Sequence, residues 1–296
     1  MAVPLIIGDK SKMKMISSRC SCAFLTIAFV FLSMSAVHAE HGPSHDDDHA
    51  SHSKPSADLQ KASQNPISSL VSVPFEFNNN FNTGPEDAYE QELLIKPVVP
   101  VKISENWSLV NRAIVPVLYQ EGLVKGQEDK WGLGDFTYQG FLTPAKPGKI
   151  IWGIGPSVVA PLGTNDRFSS DKWSLGPNAV VLTMPGHWVI GTLVSNVWDV
   201  AGDSDAADVS SFTLQYFINY NMKKGWYVST APVITANWEA NSSQRWTVPV
   251  GAGVGRIFKI GKQHVNAKLA GYYNVEKPDF GSDYDIQATI TFMFPK

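Results

Sequence analysis

Beyond residue 39 this chain has no cysteine, since both of its cysteines, Cys20 and Cys22, lie near the amino end. A disulfide framework, a thiol nucleophile and a cysteine metal site are thereby excluded from the remainder. Long apolar runs are missing there as well. No stretch of about 20 apolar residues follows, so no helix of the remainder is long and greasy enough to cross a bilayer. Extended helical apolar spacing is scarce, and after residue 52 histidine occurs only as His187 and His264. Basic charge is in deficit too, which argues against a nucleic-acid partner.

The amino end explains part of this. Lys10, Lys12, Lys14 and Arg19 precede the apolar run from Ala23 to Leu32, and small residues follow down to Val37-His38-Ala39. A basic start, a short apolar core and a small-x-small site predict a secretory signal peptide over residues 1–39, cleaved after Ala39. The apolar run is too short for a membrane anchor. Cleavage removes four basic residues and Asp9, leaving 20 basic against 26 acidic residues, a net charge of about −6.

Residues 40–66 read as a separate segment. His41, His45, His49 and His52 surround Asp46-Asp47-Asp48 with almost nothing apolar, so this part cannot bury a core and is expected to be disordered. Its imidazoles have a spacing that suits a divalent metal, although a solvated spacer has the same composition. Ser56 can cap a short helix over 57–64 that stops before Pro66, a candidate plug.

From residue 67 to 296 the pattern changes to period two. Twelve candidate strands follow, about 68–81, 89–103, 106–120, 132–144, 149–162, 172–184, 187–199, 209–222, 225–238, 245–259, 262–275 and 283–295. Many exceed the usual soluble strand of about 5–6 residues. Phe212, Leu214, Tyr216, Ile218 and Tyr220 alternate with mostly polar residues, giving one greasy and one wet face. Connections after even strands are brief, such as Pro185-Gly186 and Lys223-Lys224, whereas those after odd strands are generally longer and more polar. Sorting of this kind over an even strand count predicts an all-β fold, a transmembrane antiparallel up-and-down barrel of about 12 strands. Only helices and closed barrels satisfy their backbone polar groups in lipid.

Tryptophan supplies an independent test. Trp107, Trp152, Trp188 and Trp226 fall at one set of strand ends, and Trp131, Trp173, Trp198, Trp238 and Trp246 at the other. Indole favours the membrane–water interface, so two girdles are expected. Parity turns Val71, Val73, Phe75, Leu93, Ile95, Ile150, Trp152 and Val248 outward. The same parity turns Glu76, Glu92, Lys96, Arg112, Asp135 and Gln139 to the lumen, where they are the candidate lining of a transport path. Arg or Lys facing lipid at mid-depth costs roughly 2–4 kcal/mol, which reinforces the inward placement of Lys96 and Arg112. Gly153, Gly155, Gly251, Gly253 and Gly255 share that inner face, where structural use is expected.

No catalytic constellation stands out. His187 and His264 sit beside brief turns with no activated serine, so no enzyme is expected and nothing calls for a cofactor. Gly251-x-Gly253-x-Gly255 lacks the strand–turn–helix setting of a dinucleotide loop.

Several stretches are familiar: Gln64-Asn65-Pro66-Ile67, Val73-Pro74-Phe75, Gly132-Leu133-Gly134-Asp135, Pro144-Ala145-Lys146-Pro147-Gly148, Ile151-Trp152-Gly153-Ile154-Gly155-Pro156, Asn196-Val197-Trp198 and Arg245-Trp246-Thr247-Val248-Pro249-Val250-Gly251. Through them the chain resembles a family of Gram-negative outer-membrane "transporter" barrels, often mislabelled neuromedin U, which is related to the MetA-pathway phenol-degradation barrels. The last strand, ending Phe292-x-Phe294, resembles the closing strand read by the barrel-assembly machinery. The resemblance covers most of residues 60–296. It implies a barrel in the bacterial outer membrane, with outer-membrane lipid around it; the sorting of short and long connections over an even strand count puts both termini on the periplasmic side.

The expected function is a pore or transporter for passive passage of a small solute. Two alternatives stand beside it. One is a non-conducting surface-binding or adhesion barrel using the loops near 121–131, 162–171 and 200–208. The other is an envelope metal-handling protein using the His-rich arm.

Overall fold

The computed structural model describes residues 57–295. Residues 1–39, where a signal peptide is expected, and the histidines at 41, 45, 49 and 52 lie outside the described residues. Helix α1 spans Ala57–Gln64. The strand segments are β1 (Val71–Thr83), β2 (Ala88–Ile95), β3 (Val98–Lys102), β4 (Trp107–Gln120), β5 (Lys130–Leu133), β6 (Phe136–Pro144), β7 (Ile150–Ala160), β8 (Lys172–Thr183), β9 (Trp188–Gly202), β10 (Ser210–Asn221), β11 (Trp226–Thr230), β12 (Val233–Asn237), β13 (Trp246–Ile260), β14 (Gln263–Glu276) and β15 (Tyr284–Phe294).

All pairings are antiparallel between neighbours in the chain, and β1 pairs with β15 from Val71↔Phe294 to Phe81↔Tyr284, which closes the barrel. Three staves are broken into two segments each: β2/β3 at Lys96-Pro97, β5/β6 at Gly134-Asp135 and β11/β12 at Ala231-Pro232. Counted as staves, the wall is a closed twelve-stranded antiparallel barrel. Proline explains two of the breaks, because it brings no N–H to the ladder. Bonding resumes at once around Pro97, where Lys96 N–H reaches the Pro74 carbonyl and Ala113 N–H reaches that of Pro97.

The Pro232 break is wider on one side. β11 pairs with β13 as far as Ser229↔Gly253, and β12 resumes only at Thr235↔Thr247. Residues 230–234 therefore face 248–252 without a regular ladder. Pro249 stands opposite and also lacks an N–H. Side chains take over part of the bonding: the Thr230 hydroxyl donates to the Gly251 carbonyl at 2.7 Å, and Ala231 N–H donates to the Tyr272 hydroxyl at 3.3 Å.

Connections at one end are short: residues 103–106, 145–149, 184–187, 222–225 and 261–262. At the other end they run over 121–129, 161–171, 203–209, 238–245 and 277–283, while the first, 84–87, is as brief as a turn. The turn after β10 needs left-handed backbone at Lys224 (φ 60°) and Gly225 (φ 80°). A Cβ on Gly225 would stand 2.1 Å from the Ile257 carbonyl oxygen, so glycine is required there for space as well as for φ.

The outward face carries an apolar band. Val99, Val101, Ile154, Leu175, Val181, Ile190, Val228, Val250, Val254, Leu269 and Ile286 are all exposed on it. Trp107 and Trp152 meet edge-on at 6.1 Å at the short-turn end, and Trp238 and Trp246 at 5.4 Å at the long-loop end. Exposed apolar side chains on this scale are unfavourable in water and suit a lipid surround.

The inner wall shows a repeated device. Phe217 pairs with Gly191, Tyr227 with Gly255, and Tyr272 with Gly251. All three aromatic residues are buried. A Cβ on Gly255 would lie 2.2 Å from the Tyr227 ring, and one on Gly191 would lie 2.6 Å from that of Phe217. These inner glycines are seats for aromatic rings laid against the neighbouring strand.

Candidate functional site

Two apolar clusters and one charged cluster occupy the interior. Ile67 lies among Val98, Val110, Phe141, Ile151, Leu182, Val189 and Phe217 on the wall formed by β3 to β10. Gly153 leaves room for it, since a Cβ there would come within 3.3 Å of Ile67 Cδ1. Leu70 joins Tyr227, Ile257 and Met293 on the opposite side, with Leu59 and Ala62 of α1 packed against them. Fully burying side chains such as Ile67 and Leu70 is worth roughly 1.5–3 kcal/mol each. Sequence pattern extends the first strand back to residue 68. The structure starts it at Val71, because Ile67 and Leu70 are drawn inside to these clusters.

Polar contacts tie α1 to the short-turn end. Gln64 and Asn221 exchange amide hydrogen bonds at 2.9 and 3.0 Å. Gln60 Nε2 donates to the Trp226 carbonyl at 3.0 Å, and Lys61 Nζ donates to that of Met184 at the same distance. The segment thus lies across the short-turn mouth of the barrel.

Above it, a cavity of about 190 Å³ separates residues 62–68 from the wall, and Glu76, Lys96, Arg112 and Lys268 line it. Glu76 and Lys96 form an ion pair at 2.6 Å with little solvent exposure. Arg112 Nη1 donates to Gln139 Oε1 at 3.3 Å. A second network climbs toward the long loops. Lys268 Nζ donates to Gln287 Oε1 at 2.6 Å, Gln287 Nε2 to Asn78 Oδ1 at 2.9 Å, and Asn78 Nδ2 to Glu92 Oε2 at 3.0 Å. Glu90, bonded by Gln120 and Thr83, and Asp285 stand one register step farther on, both opposite Asn80.

Five of the six residues assigned inward by parity, Glu76, Glu92, Lys96, Arg112 and Gln139, thus belong to these two networks on β1, β2, β4 and β6. Asp135 does not. It sits at the β5/β6 break, where its carboxylate accepts Gly163 N–H at 3.1 Å and both Ser170 donors at 2.7 and 2.8 Å. Three donors from the 161–171 loop satisfy it there, so it anchors a loop instead of lining the cavity. The break removes it from the strand parity on which its inward assignment rests.

Lys268, Asn78 and Gln287 complete the networks, and the sequence reading above does not name them. The lipid-charge argument that turns Arg112 inward applies equally to Lys268 on its strand. Asn78 and Gln287 carry no comparable signal, since a neutral amide is tolerated in many settings.

A family model described as "Putative MetA-pathway of phenol degradation" matches residues 81–290. Among solved structures, an outer membrane channel from Pseudomonas putida F1 superposes with a TM-score of 0.60 at 14% identity, covering 76% of this chain and 94% of that one. At that identity the likeness speaks for the fold alone. The NanC porin gives 0.47 at 10% identity (76% and 100% covered), and the outer membrane phospholipase A from Escherichia coli gives 0.41 at 12% (76% and 96% covered). Those two scores are too low to carry any argument about chemistry. No protein of curated function matches the chain in sequence.

Proposed function

The chain belongs to this MetA-pathway barrel family, and from that premise we propose that it is a passive outer-membrane channel for small solutes whose inner mouth is covered by its own N-terminal segment. The short turns, with both ends of the strand set, are assigned to the periplasmic side, and the long loops to the outside. The reading rests above all on the segment from α1 to Leu70, which packs across the short-turn mouth beneath a cavity lined by charge. A barrel of this width has room for a narrow path only where side chains leave one, so a covering segment controls what remains. Lumen charges of both signs then set the field along the path. No catalytic step is assigned to the barrel.

Conductance in planar bilayers tests the proposal. The full mature chain should pass small currents, and a variant lacking residues 57–70 should pass clearly larger ones through its uncovered mouth. If neither protein conducts while both are folded barrels, the channel reading is wrong. Equal conductance would remove the covering role of the segment.

A further inference from the structure

The cavity above the N-terminal segment has an imbalance of charge. Three cations line it, Lys96, Arg112 and Lys268, against the single carboxylate of Glu76. That carboxylate is engaged by Lys96 at 2.6 Å. Neither Arg112 nor Lys268 has a carboxylate within ion-pair distance among the described residues. Each reaches only a side-chain amide oxygen, of Gln139 and Gln287 respectively. Three cations in a confined space that share one carboxylate, itself held by Lys96, carry an excess of positive charge that is costly, and a mobile anion relieves that cost.

The remaining inner carboxylates lie elsewhere. In the β1–β2 and β1–β15 registers, Glu92 is one step beyond Glu76 toward the long loops, opposite Asn78, and Glu90 and Asp285 are two steps beyond, both opposite Asn80. Steps of two residues at about 3.3 Å per residue separate these layers. Glu92 is already bonded by Asn78. Arg112 lies in the other direction, since it pairs with Val98, which pairs with Ser72. The charges therefore segregate along the barrel, with the cations nearest the N-terminal segment.

Two further features describe what would fit. Thr289 lines the same cavity, and its hydroxyl is buried with no hydrogen-bond partner. Val98, Phe217 and Ala231 supply an apolar side to the space. An engineered cavity of about 150 Å³ takes up benzene, so the space here admits one ring with a small polar head. We infer that this cavity is a binding site for a small organic monocarboxylate, its carboxylate held by Arg112 and Lys268 with the Thr289 hydroxyl donating, and its apolar body against Val98 and Phe217. This deepens the channel reading by naming the chemical class of the solute.

Calorimetric titration of the purified full mature protein in detergent with benzoate tests it, with benzyl alcohol as neutral counterpart and benzylamine as cationic one. Benzoate should bind saturably, at least tenfold more tightly than either. Arg112→Gln and Lys268→Gln should each weaken it about tenfold, while Arg112→Lys should restore much of the loss. Heat-modified mobility of each variant on gels shows whether its barrel has formed. Should Arg112→Gln fail to fold, Thr289→Val provides the second readout, weakening benzoate without affecting benzyl alcohol. Displacement of benzoate by equimolar chloride or phosphate would mean a general anion site and overturn the organic-acid assignment. Equal binding of benzoate and benzyl alcohol, or benzoate binding untouched by all variants, would overturn the site. A protein that conducts without binding benzoate refutes this inference alone, and one that binds benzoate yet never conducts refutes the channel reading alone.

Discussion

The two sides of the barrel interior differ in what they ask of a neighbour. On the wall built from β6 to β10, near the short turns, Phe141, Ile151, Val180, Leu182, Val189, Leu193 and Phe217 make an apolar surface that Ile67 completes. On the wall built from β14, β15, β1, β2 and β4, Lys268, Gln287, Asn78 and Glu92 form one hydrogen-bonded chain, Glu76 pairs with Lys96, and Arg112 is bonded to Gln139 of β6. The apolar side accepts any greasy group of the right volume, so its stabilisation is additive and tolerant. The charged side depends on partners, and removing one strands the other. A segment covering the mouth is thus gripped by packing on one side, while the cavity beside it is lined by charged groups on the other.

The largest effect should come from breaking the charged side. Glu76→Gln leaves Lys96, Arg112 and Lys268 with no acid among them, at a cost of about 3 kcal/mol for an abandoned buried pair. Urea unfolding of the protein in lipid vesicles measures it, and the same variant should shift reversal potentials toward anion preference. An unchanged unfolding midpoint would show that water in the cavity already screens the pair.

A smaller effect is expected on the apolar side. Ile67→Ser gives up roughly 2 kcal/mol of side-chain burial. Most of that loss falls on the seating of the segment and little on the barrel wall. Trypsin should then cut at Lys61 faster while the barrel's unfolding midpoint stays nearly constant. Equal cleavage rates would mean that the polar contacts of Gln60 and Gln64 alone hold the segment.

The smallest effect lies outside both, in the loop before β15. Asp283 is held below the usual carboxylate range, first by the hydrogen bond from Lys277 and then by that from Asn82. A depressed acid contributes order above its unfolded value and loses it as pH falls through the folded one. Amide protection at residues 277–283, taken relative to the intrinsic exchange rate, should fall below about pH 4, the ordinary Asp range, and in Asp283→Asn that loss of protection with pH should vanish. The loop is exposed, so global stability should hardly move.

Much of this architecture was legible in advance because it is local. Alternation and turn residues predict every stave to within a few residues, since both act over short stretches of chain. The misplaced start of the first strand and the loop role of Asp135 share a cause. In both places the chain leaves the regular ladder, so parity no longer says where a side chain points. Phe217 is instructive as well. It sits on the polar face of an alternating strand, and only the glycine opposite, Gly191, explains why an aromatic ring belongs there.

The sequence by itself determined the two-faced strands, their approximate ends and the placement of tryptophan at both rims. Each follows from period-two geometry and from the medium on either side of the wall. Which inner residues would meet was decided only by closure of the barrel. Asn78 and Gln287 are 209 positions apart and become neighbours because β1 pairs with β15 in one particular register. The cavity, its unmatched cations and the covering segment are consequences of that closure.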